Sequence, residues 1–155
     1  MTEHERRSGY AFRPATDDDY DFLYGLHVAA MRPYVEQTWG WDAALQARLF
    51  REGFDPTTRC IIVVDGRDIG VLRVERRLSD VFLNSIEIEP SYQGRGLGTS
   101  IIGDILTSAH HEGLPVSLRV LHVNPARRLY ERLGFHEVER TETHVIMRAD
   151  PAVLP

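Results

Sequence analysis

Lysine is absent from the sequence, and all 18 lysine-or-arginine positions are arginines. Lysine forms Schiff bases with carbonyl substrates and with PLP, and the Walker A P-loop requires it. These three kinds of site are therefore excluded for this chain. The one cysteine, Cys60, excludes an internal disulfide and a cysteine-based zinc cage. Its place at the start of the apolar run CIIVV predicts a small buried side chain.

Long apolar runs and dense basic runs are also missing. No apolar run approaches the roughly 18 residues that a membrane helix needs, and the formal net charge is −5. We therefore expect a small molecule as partner, with neither a membrane nor a nucleic acid, and a homodimer is left open. The first residues lack the apolar core of a secretory signal, so a cytoplasmic location is expected.

What is present is typical of one globular domain. The chain has 155 residues, of which 43% are hydrophobic and 26% are charged, and this length is enough to bury one core. We expect a single domain over 1–155, with its core at about 10–148 and loose ends. His110, His111 and His136 lack the spacing of metal ligands, so no metal site is predicted.

The apolar pattern predicts an α/β fold. Helices are expected after Thr16, after Asp42, over 99–112 and over 124–135, with Pro33 and Gly40 interrupting the first of them. Strands are expected at 10–15, 60–64, 69–75, 81–89, 116–123, 136–140 and 143–149. This order predicts a mixed, largely antiparallel sheet of about seven strands flanked by about four helices.

A glycine-rich turn joins the strand at 81–89 to the helix at 99–112. Its spacing is G-x-G-x-G, which is not the spacing of a dinucleotide fingerprint, and the strand before it is the fourth of the chain and not the first. A plain turn is one interpretation, because glycines often separate a strand from a helix. The other is an anion site, in which the amides from Gly94 to Thr99 and the helix dipole hold a pyrophosphate.

Two segments carry a family resemblance. The segment QGRGLG at 93–98 resembles the Q/R-x-x-G-x-G/A signature of the GNAT superfamily of acyl-CoA-dependent N-acyltransferases. The segment NPARRLYERLGF at 124–135 resembles the part of that family that follows the fifth strand. The resemblance covers roughly residues 10–148 and implies a GNAT-like fold.

The resemblance implies acetyl-CoA as the cosubstrate and no metal. In the family the turn binds the coenzyme's pyrophosphate, and the backbone of the fourth strand binds the pantetheine arm and the thioester oxygen. The residues expected to contact the coenzyme are Ile86, Ile88, Gln93, Gly94, Arg95, Gly96, Leu97, Gly98, Thr99, Asn124 and Arg127. The alternative for Arg95 and Arg127 is that they are surface residues in contact with solvent only.

The resemblance also places Tyr130 at the general acid that protonates the leaving thiolate. An ordinary phenol pKa of about 10 suits that transfer. Tyr130 also belongs to an apolar helical stripe, so a core position is the alternative. Asn124 is followed by proline, and this pair is equally typical of a helix N-cap.

The general base is left open between four candidates. Glu87 lies on the fourth predicted strand beside the expected acetyl position. His122 shares strand parity with Asn124 and would face the same cleft, whereas Glu36 lies between the first two helices. A water relay is the fourth candidate. Glu87 is our choice, with Tyr130, as a catalytic residue.

The segment YVEQTWGWD at 34–42 is the expected acceptor site. Two tryptophans around one glycine form either an aromatic wall for an amine or an apolar plug over the sheet. The residues expected to bind the acceptor are Tyr34, Glu36, Trp39, Trp41 and His122.

These expectations add up to an N-acetyltransferase. The hypothesis is direct transfer, in a ternary complex, of an acetyl group from acetyl-CoA to a primary amine on a small molecule. Two alternatives are an acetyltransferase for protein or peptide N-termini and a catalytically silent module that binds acyl-CoA.

Overall fold

Glu3 and residues 9–152 are described by the structure, which is a computed structural model. The expected loose ends fall largely outside these residues. Within them the chain forms four α-helices, α1 (Tyr20–Trp39), α2 (Ala43–Glu52), α3 (Leu97–His111) and α4 (Ala126–Arg132). It also forms seven strands, β1 (Ala11–Pro14), β2 (Cys60–Val64), β3 (Arg67–Arg76), β4 (Val81–Ile88), β5 (Val116–Leu121), β6 (His136–Arg140) and β7 (His144–Ala149).

The seven strands form one sheet in the order β1-β2-β3-β4-β5-β7-β6. The pairs β1–β2, β2–β3, β5–β7 and β6–β7 are antiparallel, whereas β4 and β5 are parallel. The predicted mixed, largely antiparallel sheet is thus confirmed. The chain divides into two compact units, Met1–Arg73 with Ser85–Leu97, and Val74–Asn84 with Gly98–Pro155. The expectation of a single domain over 1–155 stays a prediction.

In the first unit, α1 packs its apolar stripe on the strands. Leu23 and Leu26, three residues apart on α1, bury themselves against Ile61 of β2 and Val71 of β3. This spacing puts both leucines on one helix face, and Ile61 lies opposite Val71 across the β2–β3 ladder. Burial of such side chains contributes about 1.5–3 kcal/mol each, so this contact fixes α1 on the sheet.

A buried carboxylate holds the start of α1. The carboxylate of Asp19 accepts a hydrogen bond from the Thr16 amide at 2.8 Å and one from the Arg13 guanidinium at 2.7 Å. Arg13 also donates to Asp68 at 2.6 Å, near the start of β3. The hydrogen bond from Arg13 holds the pKa of Asp19 below its usual value, although burial opposes this shift.

Helix α1 continues through Pro33, so the predicted interruption there is wrong. The proline removes one backbone hydrogen bond, but Val35 is buried two residues further on, and its burial stabilises the continued helix. Gly40 does end the helix, with φ +82 and its amide donating to the Glu36 carbonyl at 2.9 Å. Cys60 is exposed, so its predicted burial is also wrong. It is the first residue of β2, and the buried face of the strand begins at Ile61.

In the second unit, β5 and β7 form the centre of a core. Val116, Leu118 and Val120 alternate with more exposed residues along β5. Val145 and Met147 of β7 lie opposite Val120 and Leu118 and are fully buried.

Helix α3 ends as predicted at a glycine. Gly113 has φ +75, and its amide donates to the His110 carbonyl at 3.0 Å. The Leu114 amide donates to the Ala109 carbonyl at 2.9 Å, which completes the cap.

Strand β6 lies at one edge of the sheet and has five exposed residues. Its register against β7 shifts between Glu137 and Glu139, which marks an irregularity at Val138. The Arg140 guanidinium donates to the Glu137 carboxylate at 2.7 Å along the same strand.

Candidate active site

The glycine turn begins where β4 ends. A single 3₁₀ turn, Pro90–Tyr92, precedes it, and α3 begins at Leu97. Gly94 and Gly96 have φ +75 and +83, a region that favours glycine, and a Cβ at either would meet no atom within 4 Å. The first amides of a helix have no partner within that helix. Bare amides beside open space therefore fit a phosphate group, and the prediction of an anion site here keeps its physical basis.

Three other predicted residues of the turn have local partners. The Gln93 side-chain amide donates to the Ile88 carbonyl at 2.8 Å, which ties the turn to the end of β4. The Arg95 guanidinium lies 4.9 Å from the centroid of the Tyr92 ring. Gly98 is helical, and a Cβ there would lie 3.4 Å from the Leu129 side chain, which is an ordinary van der Waals contact. Leu97 is half-buried and Thr99 is exposed.

The predicted backbone partners lie in the last part of β4. The parallel ladder of β4 with β5 is three residues long, from Val81 opposite Val116 to Leu83 opposite Leu118. Residues 86–88 lie further along β4. The Ile88 carbonyl accepts from the Gln93 side chain. A thioester oxygen is an acceptor, so only the amide N–H of Ile88 could donate to it.

Glu87 forms a pair with His27 of α1. The Glu87 carboxylate Oε2 lies 3.1 Å from Nδ1 of His27, and the two side chains are 10% and 26% exposed. A carboxylate only accepts, so Nδ1 carries the hydrogen and donates it. The Phe50 ring lies beside the imidazole, 5.3 Å between centroids. A half-buried carboxylate oriented by an imidazole can accept a proton.

Sequence reasoning missed the role of His27. His27 stands next to Leu26 at an apolar-stripe spacing of the first helix, and its partner lies 60 positions away along the chain. The signal that could have found it is a polar ring at an apolar stripe position, because a side chain facing a core needs a hydrogen-bond partner.

Three of the predicted acceptor residues, Tyr34, Glu36 and Trp39, lie in the last part of α1, and Trp41 follows it. Trp39 is 59% exposed, which argues against a buried plug at that position. The Arg32 guanidinium lies 5.2 Å from the centroid of the Trp41 ring, so one cation already occupies a face of this indole. The Tyr34 carbonyl accepts from Thr38, and Glu36 is exposed. Binding of an amine by this segment stays a prediction.

Tyr130 lies on α4, against Phe135. The two rings meet edge to face at 5.8 Å between centroids, and the Phe135 amide donates to the Tyr130 carbonyl at 3.0 Å. Burial raises the pKa of Tyr130 to about 12. The phenol therefore stays protonated at neutral pH and can serve as a donor, although the higher pKa makes full proton transfer to a thiolate harder than the sequence suggested.

Asn124 lies one residue before Pro125, the N-cap of α4, so the predicted N-cap position is shifted by one. The Asn124 side-chain oxygen accepts from the Ala126 amide at 3.0 Å, which leaves the amide nitrogen as the group for a ligand. The Arg127 guanidinium donates to Glu131 at 2.9 Å and to Glu137 at 3.2 Å. Contact of either residue with the coenzyme stays a prediction.

His122 lies in the turn after β5. The strand ends at Leu121, so the predicted strand parity between His122 and Asn124 is wrong, because the chain turns before it reaches either residue. The His122 Nε2 lies 2.9 Å from the Thr141 carbonyl oxygen and donates to it. This nitrogen is therefore committed to the turn between β6 and β7.

The predicted site residues divide between the two units. The first unit holds the residues of β4 and of the turn up to Leu97, together with the acceptor segment. The second holds Thr99, His122, Asn124, Arg127 and Tyr130. Among the described residues, no group of three or more His, Cys, Asp or Glu side chains is placed to hold a metal ion. None of the helices within the described ranges is long and apolar enough to cross a membrane.

Comparison with known proteins gives one family. The model of the acetyltransferase (GNAT) domain matches residues 56–137. The [ribosomal protein bS18]-alanine N-acetyltransferase of Haemophilus influenzae is 33% identical over 79 residues, which cover 50% of this chain and 54% of that protein. An uncharacterised N-acetyltransferase of Methanocaldococcus jannaschii is 28% identical over 146 residues, covering 84% of this chain and 62% of that protein. The chain thus spans less than two thirds of the length of these curated relatives.

A solved structure shares the fold. The PaiA N-acetyltransferase of Thermoplasma acidophilum, crystallised in complex with coenzyme A, aligns with a TM-score of 0.74. The alignment covers 91% of this chain and 98% of that one at 13% identity.

Proposed function

Because the chain belongs to the GNAT acetyltransferase family, we propose that it transfers an acetyl group from acetyl-CoA to a primary amine on a small molecule. The observation that carries this proposal is the turn at 93–98, where two left-handed glycines precede the first amides of α3. That arrangement fits the pyrophosphate of a coenzyme. A cytoplasmic location and a homodimer stay predictions.

Binding of the coenzyme would use backbone more than side chains. The amides from Gly94 to Thr99 would hold the pyrophosphate, with the α3 dipole adding attraction. The amides of Ile86 and Ile88 would bind the pantetheine arm and the thioester oxygen, and the free side-chain nitrogen of Asn124 would add a contact. Acetyl-CoA supplies the activated acyl group, and the protein supplies position and proton transfer.

Glu87 would take the proton that the amine loses as its nitrogen bonds to the acetyl carbon. His27 holds the carboxylate by the 3.1 Å hydrogen bond and thereby limits its rotation. As the carbon–sulfur bond breaks, the Tyr130 hydroxyl would donate a hydrogen bond or its proton to the departing sulfur. With its pKa at about 12, the phenol acts first as a hydrogen-bond donor that stabilises developing negative charge.

A polypeptide N-terminus is the second candidate acceptor. The observation that favours it is the 33% identity to an enzyme named for the alanine of a ribosomal protein. The partial cover of that relative leaves the acceptor of this chain to be decided by experiment.

Two measurements test the proposal in sequence. Calorimetry with acetyl-CoA should show binding in the micromolar range, and absence of binding would overturn the proposal. Free-thiol release should then be followed with a library of small primary amines and with peptides that begin with alanine. N-blocked versions of the same peptides are the control. Turnover restricted to free peptide N-termini would replace the small-molecule proposal by the second candidate, and binding without turnover would indicate a silent module.

A further inference from the structure

Four arginines of the described residues are half-buried, and they divide into two kinds. Arg13 and Arg127 each donate to two carboxylates. Arg59 and Arg73 form no ion pair with any described carboxylate. A half-buried guanidinium that has no anionic partner loses part of its hydration and gains no ion pair in return, which costs free energy.

Arg59, the residue just before β2, lies opposite Arg73 of β3 when the strand pairing is extended by one step. The antiparallel register pairs Cys60 with Leu72, and the next step of that register places Arg59 against Arg73. Both side chains share the sheet face of the buried Ile61, because alternate residues of a strand point the same way. Like charges directly opposite on a sheet are destabilising. The fold therefore tolerates a repulsion here that a neutral pair of residues would remove.

The two guanidiniums have few protein acceptors. Arg59 donates one hydrogen bond, from Nη1 to the Asp55 carbonyl at 3.0 Å, and Arg73 donates none to the residues at 9–152. Burial lowers the pKa of Arg59, and the nearby Arg73 lowers it further. The carboxylates of Glu87 and Asp55 oppose that shift from a distance. Each guanidinium offers five N–H donors, so nearly all of them are available to an outside ligand.

Two aromatic rings lie beside the guanidinium of Arg59. The Arg59 guanidinium lies 5.8 Å from the centroid of the Phe50 ring and 5.4 Å from that of Phe54. Phe50 also contacts the imidazole of His27, the partner of Glu87. The two arginines and the proposed base therefore belong to one cluster of side chains around α1, α2 and the sheet, all in the first unit.

We propose that Arg59 and Arg73 bind a carboxylate group of the acceptor, so that the substrate is a small amine that also carries a carboxylate. Planar guanidiniums match the two oxygens of a carboxylate, which would relieve the repulsion between the arginines. Glu87 attracts the cationic amine, and the arginine pair attracts the anionic group of the same molecule. This inference rests on the proposed acetyl transfer and adds the class of its acceptor.

The test compares amino acids with their carboxamides, which keep the amine and lose the negative charge. For each pair, for example glycine and glycinamide or β-alanine and its amide, kcat/KM is measured by thiol release. The ratio of acid to amide is then compared between the wild type and Arg73→Gln. The ratio of ratios cancels the different reactivities of the two amines. Arg67→Gln is the matched control, because Arg67 is exposed on the same strand.

We expect Arg73→Gln to lower the acid-to-amide ratio by about 10–100-fold, the range for loss of a charged hydrogen-bond partner. Activity on the amides should survive, which shows that the variant is folded. Arg73→Lys should recover only part of the ratio, since lysine lacks the planar fork. Arg59→Gln should act in the same direction, and Arg67→Gln should leave the ratio unchanged.

Four results would overturn the inference. One is an acid-to-amide ratio that is the same in Arg73→Gln as in the wild type, while the wild type does acetylate these amines. In that case the proposed acetyl transfer stands and the carboxylate site does not. Another is a raised KM for acetyl-CoA alone, which would assign the arginines to the coenzyme's phosphates. A third is a preference for phosphorylated amines over carboxylated ones. Failure of the wild type to acetylate any amine or peptide would instead remove the proposed function, and this inference with it.

Discussion

Replacing Glu87 with glutamine removes the proposed proton acceptor and keeps nearly the same shape. The side chain is 10% exposed, and its oxygen lies 3.1 Å from the His27 Nδ1. Glutamine retains an oxygen that can accept this hydrogen bond, so the fold around α1 should survive. A general base contributes about 10²–10⁴-fold to the rate. We therefore expect Glu87→Gln to lower kcat by that factor and to leave KM for acetyl-CoA nearly unchanged.

Substitutions of His27 separate orientation from proton relay. A hydrogen bond to a charged group contributes about 1.5–3 kcal/mol, which corresponds to a rate factor of about 10–150 if it holds the carboxylate in its productive position. His27→Ala should therefore lower kcat by about 10–100-fold. His27→Asn places an amide N–H near the former Nδ1 and should recover much of this loss. Equal loss in both variants would mean that the imidazole itself moves the proton.

The assay is thiol release from acetyl-CoA, measured across pH with saturating coenzyme. Loss of the base should flatten the acidic side of the kcat–pH profile in Glu87→Gln. Glu89→Gln is the matched control, because Glu89 is an exposed carboxylate two residues further along the chain. Full kcat in Glu87→Gln, with chemistry rate-limiting, would refute the assignment and leave the water relay or another base.

Four further predictions follow from the geometry. Tyr130→Phe should lower kcat by about 10–1000-fold and spare acetyl-CoA affinity in calorimetry, whereas unchanged kcat would make Tyr130 a packing residue. Gly96→Val should weaken acetyl-CoA binding far more than it lowers the melting temperature, because φ is +83 there and the space beside it is open; equal losses would indicate a purely structural turn. Gly70→Ala should reduce kcat as well as stability, because a Cβ would lie 2.6 Å from the backbone oxygen of Glu87 and would displace β4; a neutral outcome would show that β4 moves freely. Asp19→Asn should lower the free energy of unfolding by about 1–3 kcal/mol in urea at pH 7. Since the folded pKa of Asp19 is depressed, this contribution is present above the ordinary pKa of about 3.9 and fades as pH falls through the lower folded value; a difference that persists in acid would contradict the ion pair as its cause.

Sequence patterns predicted the strands and the glycine-capped helix because their causes are local. The alternation along β5 and the glycine after α3 each depend on neighbours within a few residues. Pro33 was misread for the opposite reason, since burial of Val35 outweighs the local cost of proline. Cys60 was misread because an apolar run does not show where the buried face begins.

The candidate site was predictable where a backbone motif determines it and not where side chains meet across the fold. The turn at 93–98 is readable because glycine spacing alone sets its conformation. The His27–Glu87 pair and the apposition of Arg59 with Arg73 depend on sheet register and on where α1 lies, and neither is encoded in adjacent positions. The direction of the His122 side chain was predicted from strand alternation. The strand ends at Leu121, so alternation does not apply to His122.

The exposed strand β6 has a consequence for self-association. A new strand can join a sheet only where an edge is straight and its backbone groups are free of obstruction. The shifted register at Val138 distorts this edge, and a second copy pairing here would have to remove water from the charged side chains of Glu137 and Arg140. Growth of the sheet into a fibre-like stack through β6 is thereby disfavoured. Copies of the chain that do associate would find a more favourable interface elsewhere on the molecule.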